Sequence, residues 1–204
     1  RLLALPDPTH DEEINLTFRR IQRQRAVRPR QAKGLTKDIL NQLLSGEPND
    51  AWGLRNRAML TLGYELLTRR SELTALRNED LQLRADNTFR VSIRRCKTDR
   101  DGQGRLAFTS KATADLVLEW MHYRGPHVEW LFCPIYHGKS VNRPLSTTTL
   151  SSIIRNAAER VGFSDEDVEA FTGHSMRVGA AQDLLRRGFD TAAIMRAGGW
   201  KSLT

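Results

Sequence analysis

The chain has 204 residues, of which 39% are apolar, and its 32 lysine and arginine residues exceed its 24 aspartate and glutamate residues, giving a formal net charge of +8. No run of about 18 apolar residues occurs, which excludes a helical membrane protein, and the length suffices to bury one large core or two small ones. The excess of positive charge is typical of proteins that bind a polyanion, so nucleic acid is the expected partner. The alternative is a soluble basic protein without such a partner.

The chain begins with Arg1 and shows no basic and apolar signal segment. We therefore expect an intracellular, cytoplasmic and nucleoid-associated protein, and we interpret the chain as a piece of a longer one. Its two cysteines, Cys96 and Cys133, stand alone and form no C-x-x-C motif. This pattern indicates reduced, packed thiols and not a zinc ribbon or a disulfide framework.

The first predicted element is an amphipathic helix that begins near Thr9. Thr9 and Glu12 have the spacing of a capping box, and Ile14, Phe18 and Ile21 follow as an apolar stripe. We therefore predict that one amphipathic helix opens the chain.

A basic segment follows the apolar stripe and is interrupted by Pro29 and Gly34. Its cationic residues are Arg19, Arg20, Arg23, Arg25, Arg28, Arg30 and Lys33. We predict a connector that lies along phosphates, with a domain boundary near residues 26–34. A solvated linker without a partner is the alternative.

Helical periodicity dominates the rest of the chain. Helix starts are predicted at Thr36, near Leu54, at Ser110 and at Ser146, and two short helices flank Gly188, the second capped by Asp190. Each start is a residue that favours a helix N-cap or the first residue of an apolar periodic run. The carboxyl-terminal part is therefore expected to be a helical domain.

One segment changes from helical periodicity to a period of two. Phe89, Val91 and Ile93 alternate with polar residues, and Leu106 and Phe108 follow a turn-rich stretch at 99–104. We predict a β-hairpin, and hence a fold that is mainly α with a small antiparallel β-sheet (α+β). The Gly102-Gln103-Gly104 stretch lacks the third glycine of a dinucleotide fingerprint, and no Walker-type motif occurs, so nucleotide hydrolysis is not expected.

Arg69 and Glu72 are three residues apart at a predicted helix start, so their side chains face the same way. A guanidinium at such a position favours a phosphate, and a nearby carboxylate can hold it in one orientation. The alternative is an ordinary surface Arg–Glu pair.

A second pair, His174 and Arg177, stands one turn apart at another predicted helix start. A planar bidentate donor beside a titratable imidazole can grip a phosphodiester. The alternative is a histidine satisfied in a packed helix end.

Two further residues complete the candidate set. Lys97 follows the first hairpin strand, where a protruding lysine could enter a groove and deliver a proton, although a solvated hairpin lysine is the alternative. Trp200 follows Gly198-Gly199 and carries a single N–H donor that favours one partner, and a core tryptophan at a helix end is the alternative.

The order of these features resembles the tyrosine recombinases, also called phage-integrase-type recombinases. The segment 173–200, GHSMRVGAAQDLLRRGFDTAAIMRAGGW, resembles the same stretch of a well-known family member in its opening nine residues, its Ala-Gly-Gly-Trp ending and the spacing between them. The similarity extends to Leu62-Gly63-Tyr64, Cys96-Lys97-Thr98 and Phe18-Arg19-Arg20-Ile21. It covers almost the whole chain.

The resemblance implies a grip on the scissile phosphate of double-stranded DNA. Arg69, His174 and Arg177 would hold that phosphate, with Trp200 donating where many relatives have a second histidine. The implied reaction is site-specific recombination, in which strands are broken and rejoined through a 3′-phosphotyrosyl intermediate.

The resemblance gives two more residues supporting roles. Glu72 would orient the active site, and Lys97 would act as the general acid that protonates the leaving 5′ oxygen. No metal or other cofactor is expected. Residues 1–28 would be the last helix of an N-terminal core-binding domain with its basic linker, and residues 29–204 a catalytic domain truncated at its C-terminus.

The attacking tyrosine of the family follows the tryptophan or histidine by a short stretch, but only residues 201–204 remain after Trp200. Tyr64 lies in an apolar helix, Tyr123 near a helix end and Tyr136 in a predicted loop, so none is expected to attack. We therefore expect a monomeric fragment that binds DNA without cleaving it, and a full-length protein that assembles with other protomers into a tetrameric synapse. The alternative from another class is a helix-turn-helix DNA-binding regulator without catalysis, built on 180–197.

Overall fold

The computed structural model describes residues 11–24, 31–94 and 104–200. The chain forms two compact units, Arg1–Gln31 and Ala32–Thr204. In the first unit, helix α1 (Glu12–Gln24) begins after Asp11, whose Oδ1 accepts the N–H groups of Glu13 and Ile14 at 2.9 and 3.1 Å. The predicted cap, Thr9, lies outside the described residues.

The second unit is mainly helical with a small antiparallel sheet, as the sequence predicts. Its helices are α2 (Lys37–Ser45), α3 (Ala51–Glu65), α4 (Arg70–Thr74), α5 (Lys111–Arg124), α6 (Thr147–Arg160), α7 (Asp165–Ala170), α8 (Ser175–Arg186) and α9 (Thr191–Gly198). The predicted caps Ser110, Ser146 and Asp190 each accept the backbone N–H of the third residue after them, at 3.0 to 3.3 Å. These helix starts follow from the local sequence because a short polar side chain satisfies an otherwise unpaired N–H group.

One helix start and one capping bond differ from the prediction. Helix α3 begins before Leu54, because Asp50 accepts the N–H of Gly53 at 2.9 Å. Thr36 precedes α2 as predicted, yet its side chain makes no capping bond, and the Lys37 N–H instead donates to Asp183 Oδ2 at 2.6 Å. The cap of α2 is therefore supplied from α8, by a residue that is distant in sequence.

The three-stranded sheet has the order β1 (Leu81–Leu83), β2 (Phe89–Ile93), β3 (Arg105–Phe108). The predicted hairpin strands β2 and β3 pair antiparallel, while β1 was not predicted because three residues give too short a pattern. Opposite the buried Val91 and Ile93 stand Ala107 and Arg105, so Leu106 and Phe108 lie on the outer face and are exposed. The period of two is present in β3, but its apolar residues do not mark the buried face.

A second, two-stranded ribbon joins β4 (Ile135–Tyr136) to β5 (Lys139–Ser140). Tyr136, which the sequence places in a loop, lies in β4. His137 and Gly138 form the turn with φ of 46° and 72°, the left-handed backbone that a two-residue hairpin requires. The prediction of a loop is wrong because a two-residue strand carries no detectable period.

Helix α3 forms the centre of the second unit. Six consecutive residues, 58–63, are buried, so the helix is covered on every side, and α2, α4, α5 and α8 pack against it. Where the chain is described, no helix combines the length and apolarity that crossing a bilayer requires.

Helix α8 is held close to the segment that precedes α2. A Cβ atom on Gly179 would lie 1.9 Å from the Leu35 carbonyl oxygen, and the Leu35 N–H donates to the Ser175 carbonyl at 2.8 Å. Only glycine permits this approach. The contact fixes the start of α8, which carries the predicted His174 and Arg177.

Candidate active site

Arg69 and Glu72 form the pair that the sequence predicts. Arg69 is the N-cap of α4, and its backbone N–H donates to Glu72 Oε2 at 2.9 Å while its Nη1 donates to Oε1 at 2.5 Å. The Glu72 side chain is only 5% exposed, whereas that of Arg69 is 29% exposed. The carboxylate is thus a buried support, and the guanidinium keeps a solvent-facing part.

Arg69 also reaches the end of α9. Its Nη2 donates to the Gly199 carbonyl at 2.9 Å across a separation of 130 residues. Gly199 ends the helix in the left-handed conformation with φ of 68°, and the Trp200 N–H closes the turn on the Met195 carbonyl at 2.9 Å. The position of Trp200 is therefore tied to Arg69.

Arg177 is 4% exposed and lies in the first turn of α8. Its Nη1 donates to the Leu67 carbonyl at 2.8 Å, and its Cζ lies 3.8 Å from the centroid of the Trp200 ring. This is cation–π geometry, which stabilises a guanidinium withdrawn from water. Leu67 itself has a φ of 49°, a backbone strain held by the surrounding structure.

His174 is the N-cap residue of α8 and lies at the surface. Partial withdrawal of the ring from solvent lowers its pKa, and the positive charges of Arg70, Arg177 and Arg69 lower that pKa further. The neutral imidazole is therefore favoured, and a bound anion would offset this effect. These charges also show that the two predicted pairs face a common region.

Glycine at 173 allows Arg70 to lie next to this region. A Cβ atom on Gly173 would stand 3.0 Å from Arg70 Cδ, and the Gly173 N–H donates to Ser151 Oγ on α6 at 3.1 Å. The start of α8 is thereby joined to α4 and to α6. Arg70 is a basic residue of the site that the sequence analysis did not select.

Arg105, the first residue of β3, is a second residue that the sequence analysis missed. Its guanidinium donates to the carbonyls of Ala197 and Leu66, both at 2.7 Å, and its Nη2 lies 3.6 Å from Glu72 Oε2. The signal that could have found it is the sheet register, since Arg105 stands opposite the inward-facing Ile93. That register depends on strand pairing and cannot be read from the pattern of β3 alone.

Five of the six predicted site residues are described, and the structure brings them together: Arg69, Glu72, His174, Arg177 and Trp200. Lys97 lies outside the described residues, so its role stays a prediction.

Two of the tyrosines are engaged elsewhere. The Tyr64 hydroxyl donates to Asp183 at 2.7 Å, and burial together with this carboxylate raises the pKa of Tyr64. Tyr123 donates to the Gly138 carbonyl at 2.9 Å. Both hydroxyls are thus engaged in contacts within the fold.

The sequence is similar to those of known proteins. The family model described as "Phage integrase family" matches residues 33–204. The recombinase cre of Escherichia phage P1 is 29% identical over 220 residues, covering 100% of this chain and 64% of that protein. An integrase/recombinase xerD homolog of Selenomonas ruminantium is 26% identical and covers 93% and 57% of the two chains. The chain thus spans about three fifths of the length of these curated relatives.

Solved structures show the same fold. XerH site-specific recombinase bound to difH substrate matches with a TM-score of 0.65 at 18% identity, covering 83% of this chain and 48% of that one. XerA recombinase matches with a TM-score of 0.65 at 21% identity, covering 85% and 58%. The fold is therefore that of a tyrosine-recombinase catalytic domain. With a family match that spans most of its length, the chain belongs to the phage integrase family.

Proposed function

We propose that this chain binds double-stranded DNA at a backbone phosphate held by Arg69, His174 and Arg177. The proposal rests on the convergence of these side chains at the start of α8. There the Gly199 carbonyl at the end of α9 accepts a bond from Arg69, and the Trp200 ring stacks on Arg177. Guanidinium groups and an imidazole in this arrangement match the oxygens of a phosphodiester. The formal charge of +8 adds attraction for the duplex as a whole.

We further propose that the full-length protein breaks and rejoins DNA strands at specific sites. A tyrosine oxygen attacks phosphorus and its proton passes to solvent, while the bond from phosphorus to the 5′ oxygen breaks and that oxygen leaves as a 5′ hydroxyl with a proton from Lys97, so that a 3′-phosphotyrosyl link forms. The 5′ hydroxyl of a second strand then attacks this link, which restores a phosphodiester and releases the tyrosine. In this scheme the tyrosine follows Trp200 in the full-length sequence, in agreement with the resemblance described above. No step requires a metal.

Each side chain has a defined task in this scheme. Arg69 and Arg177 stabilise the charge that accumulates on the phosphoryl oxygens, and their preorganised contacts mean that little rearrangement is needed at the transition state. Trp200 donates its indole N–H, and Glu72 fixes the Arg69 guanidinium. Lys97 protonates the leaving 5′ oxygen.

The relatives support DNA and further protomers as partners. One solved neighbour is a lambda integrase tetramer bound to a Holliday junction, which matches with a TM-score of 0.58 at 17% identity. By analogy, we propose that the full-length protein acts as a tetrameric synapse and that this chain alone is a monomer. We place residues 1–28 in the DNA-clamping domain and residues 29–204 in the catalytic domain.

The alternative of a helix-turn-helix regulator would use α8 and α9 around Gly188. It leaves the contacts of Arg69 and Glu72 without a purpose. It also requires DNA binding that does not depend on Arg69 or His174. The two functions therefore predict different effects of the same substitutions.

A salt titration of DNA binding tests the first step. We expect the chain to bind duplex DNA with an affinity that falls steeply with salt, and Arg69→Gln to reduce the slope by about one phosphate contact. Arg90→Gln is the matched control, because Arg90 lies on the outer face of β2 and bonds only Gln82 among the contacts described. Equal slopes for Arg69→Gln and the unmodified chain would contradict the proposed phosphate grip.

Covalent trapping tests the chemistry in the full-length protein with its tyrosine. On a nicked suicide substrate we expect a 3′-phosphotyrosyl complex, which Arg177→Ala abolishes. Undiminished trapping in that variant would overturn the role of Arg177. Efficient cleavage by the 204-residue chain itself would overturn the expectation that it binds without cleaving.

A further inference from the structure

Arg105 bonds several separate parts of the structure near the candidate site through its side chain. Its side chain is 16% exposed, and its guanidinium donates to three carbonyl oxygens: Ala197 at 2.7 Å, Leu66 at 2.7 Å and Leu67 at 3.3 Å. It thereby joins the sheet to the end of α3 and to the end of α9. A lysine at this position could not satisfy the same acceptors, because they surround a planar fork.

Two of these neighbours are shared with the phosphate-binding arginines. Glu72 faces Arg105 at 3.6 Å and Arg69 at 2.5 Å, and the Leu67 carbonyl accepts from both Arg105 and Arg177. Arg105 thus shares Glu72 as a partner with Arg69 and the Leu67 carbonyl as a partner with Arg177. Arg105 does not itself join the group that faces the phosphate, because its Nη1 and Nη2 groups point at backbone carbonyls and at Glu72.

The end of α9 is held from two directions. Arg105 Nη1 binds the Ala197 carbonyl and Arg69 Nη2 binds the Gly199 carbonyl, both of which lie at the negative end of the helix dipole. Trp200 follows immediately. A side chain that fixes these carbonyls fixes where the indole meets Arg177.

Burial lowers the pKa of Arg105, and Glu72 opposes that effect. The cation therefore depends on Glu72 and on its carbonyl acceptors for the stabilisation that water would otherwise give. Loss of the cation would leave these acceptors and the buried carboxylate with fewer partners.

We infer that Arg105 is a positioning residue for the recombination chemistry: it fixes the end of α9, and through it Trp200 and the Arg177 guanidinium, while supporting Glu72. The functional half of this inference rests on the proposed function. The structural half does not, and it can be measured in the chain without DNA.

The first experiment measures amide hydrogen exchange in the 204-residue chain. Arg105→Met keeps the length of the side chain and removes its donors, Arg105→Lys keeps the charge and loses the fork, and Arg90→Met is the control on the neighbouring strand. We expect exchange of the Trp200 amide to rise about tenfold in Arg105→Met and less in Arg105→Lys, with buried α3 amides and Arg90→Met unchanged. Unchanged exchange at Trp200 in both Arg105 variants would overturn the inference, as would a uniform rise throughout the domain.

The second experiment measures DNA affinity and the rate of covalent complex formation in the full-length protein. A positioning role predicts that Arg105→Met slows complex formation by a factor at least tenfold larger than the factor by which it raises the Kd for the duplex, with partial recovery in Arg105→Lys. Equal loss of affinity and rate would show instead that Arg105 binds DNA. If the unmodified protein forms no complex at all, the proposed function fails, and the exchange result still decides the structural half.

Discussion

The guanidinium carbon of Arg177 lies 3.8 Å from the centroid of the Trp200 ring. Arg177 lies in α8 and Trp200 follows the end of α9, and each makes a further bond, Arg177 to the Leu67 carbonyl and the Trp200 backbone N–H to the Met195 carbonyl. A buried cation is therefore held both by a carbonyl and by an aromatic face. These contacts connect the start of α8 with the end of α9.

Removal of the ring should weaken phosphate binding. We expect Trp200→Ala to lower the affinity of the chain for duplex DNA by about 0.5–2 kcal/mol, because Arg177 loses its aromatic contact. Trp200→Phe should keep the part of the affinity that comes from the ring, since a smaller ring still covers the guanidinium, and lose the part that comes from the indole N–H. Fluorescence anisotropy at fixed salt measures both, and equal affinities for the Ala and Phe variants would argue against a role for the ring.

His174 should titrate below its ordinary range. Its pKa is lowered by partial desolvation and by Arg70, Arg177 and Arg69, so NMR titration should place its midpoint below 6.5, and Arg70→Ala should move it upward. Because the folded pKa is below the unfolded one, the contribution of His174 to stability is full above about pH 6.5 and is lost as pH falls through the folded pKa.

The same titration reports on anion binding at His174. Inorganic phosphate or duplex DNA should raise the midpoint, because a nearby anion favours the imidazolium. A midpoint that DNA leaves unchanged would place the bound phosphate elsewhere. His174→Gln supplies the control for stability, since it should flatten the pH dependence of unfolding in this window.

Substitution of Glu72 should destabilise the fold. Glu72→Ala leaves Arg69 and Arg105 facing each other without their carboxylate, at a cost of about 3–5 kcal/mol for one broken buried ion pair. Urea unfolding measures this loss. Glu79→Gln is the control, because Glu79 pairs with Arg94 at the surface. The urea midpoint of this variant should stay close to that of the unmodified chain. Similar midpoints for the two variants would contradict the supporting role of Glu72.

The close approach of α8 to Leu35 leaves no room for a side chain at Gly179. We expect Gly179→Ala to lower the free energy of unfolding by on the order of 1–3 kcal/mol, because the added Cβ meets backbone atoms at 1.9 Å. The control is Gly34→Ala, whose Cβ meets only the Gln182 side chain, which is exposed and can turn away. Equal melting temperatures for the two variants would show that α8 can move away from Leu35 without loss of stability.

The local sequence already determined most helix starts and the family. Ser110, Ser146 and Asp190 cap their helices through bonds to the third residue onward, an interaction that needs no other part of the chain. The resemblance likewise points to Arg69 and Arg177 without reference to their tertiary contacts. Such features are predictable because the information lies within a few residues.

Only the tertiary structure decided how those residues are supported. Asp183 replaces Thr36 as the cap of α2, Arg69 binds Gly199 across 130 residues, and Arg105 faces inward because β3 pairs with β2 in one register. None of these contacts has a local signature, because each arises where separate elements pack. The sequence by itself therefore determined which groups could hold a phosphate, whereas the fold decided how they are oriented, since orientation depends on partners distant in the chain.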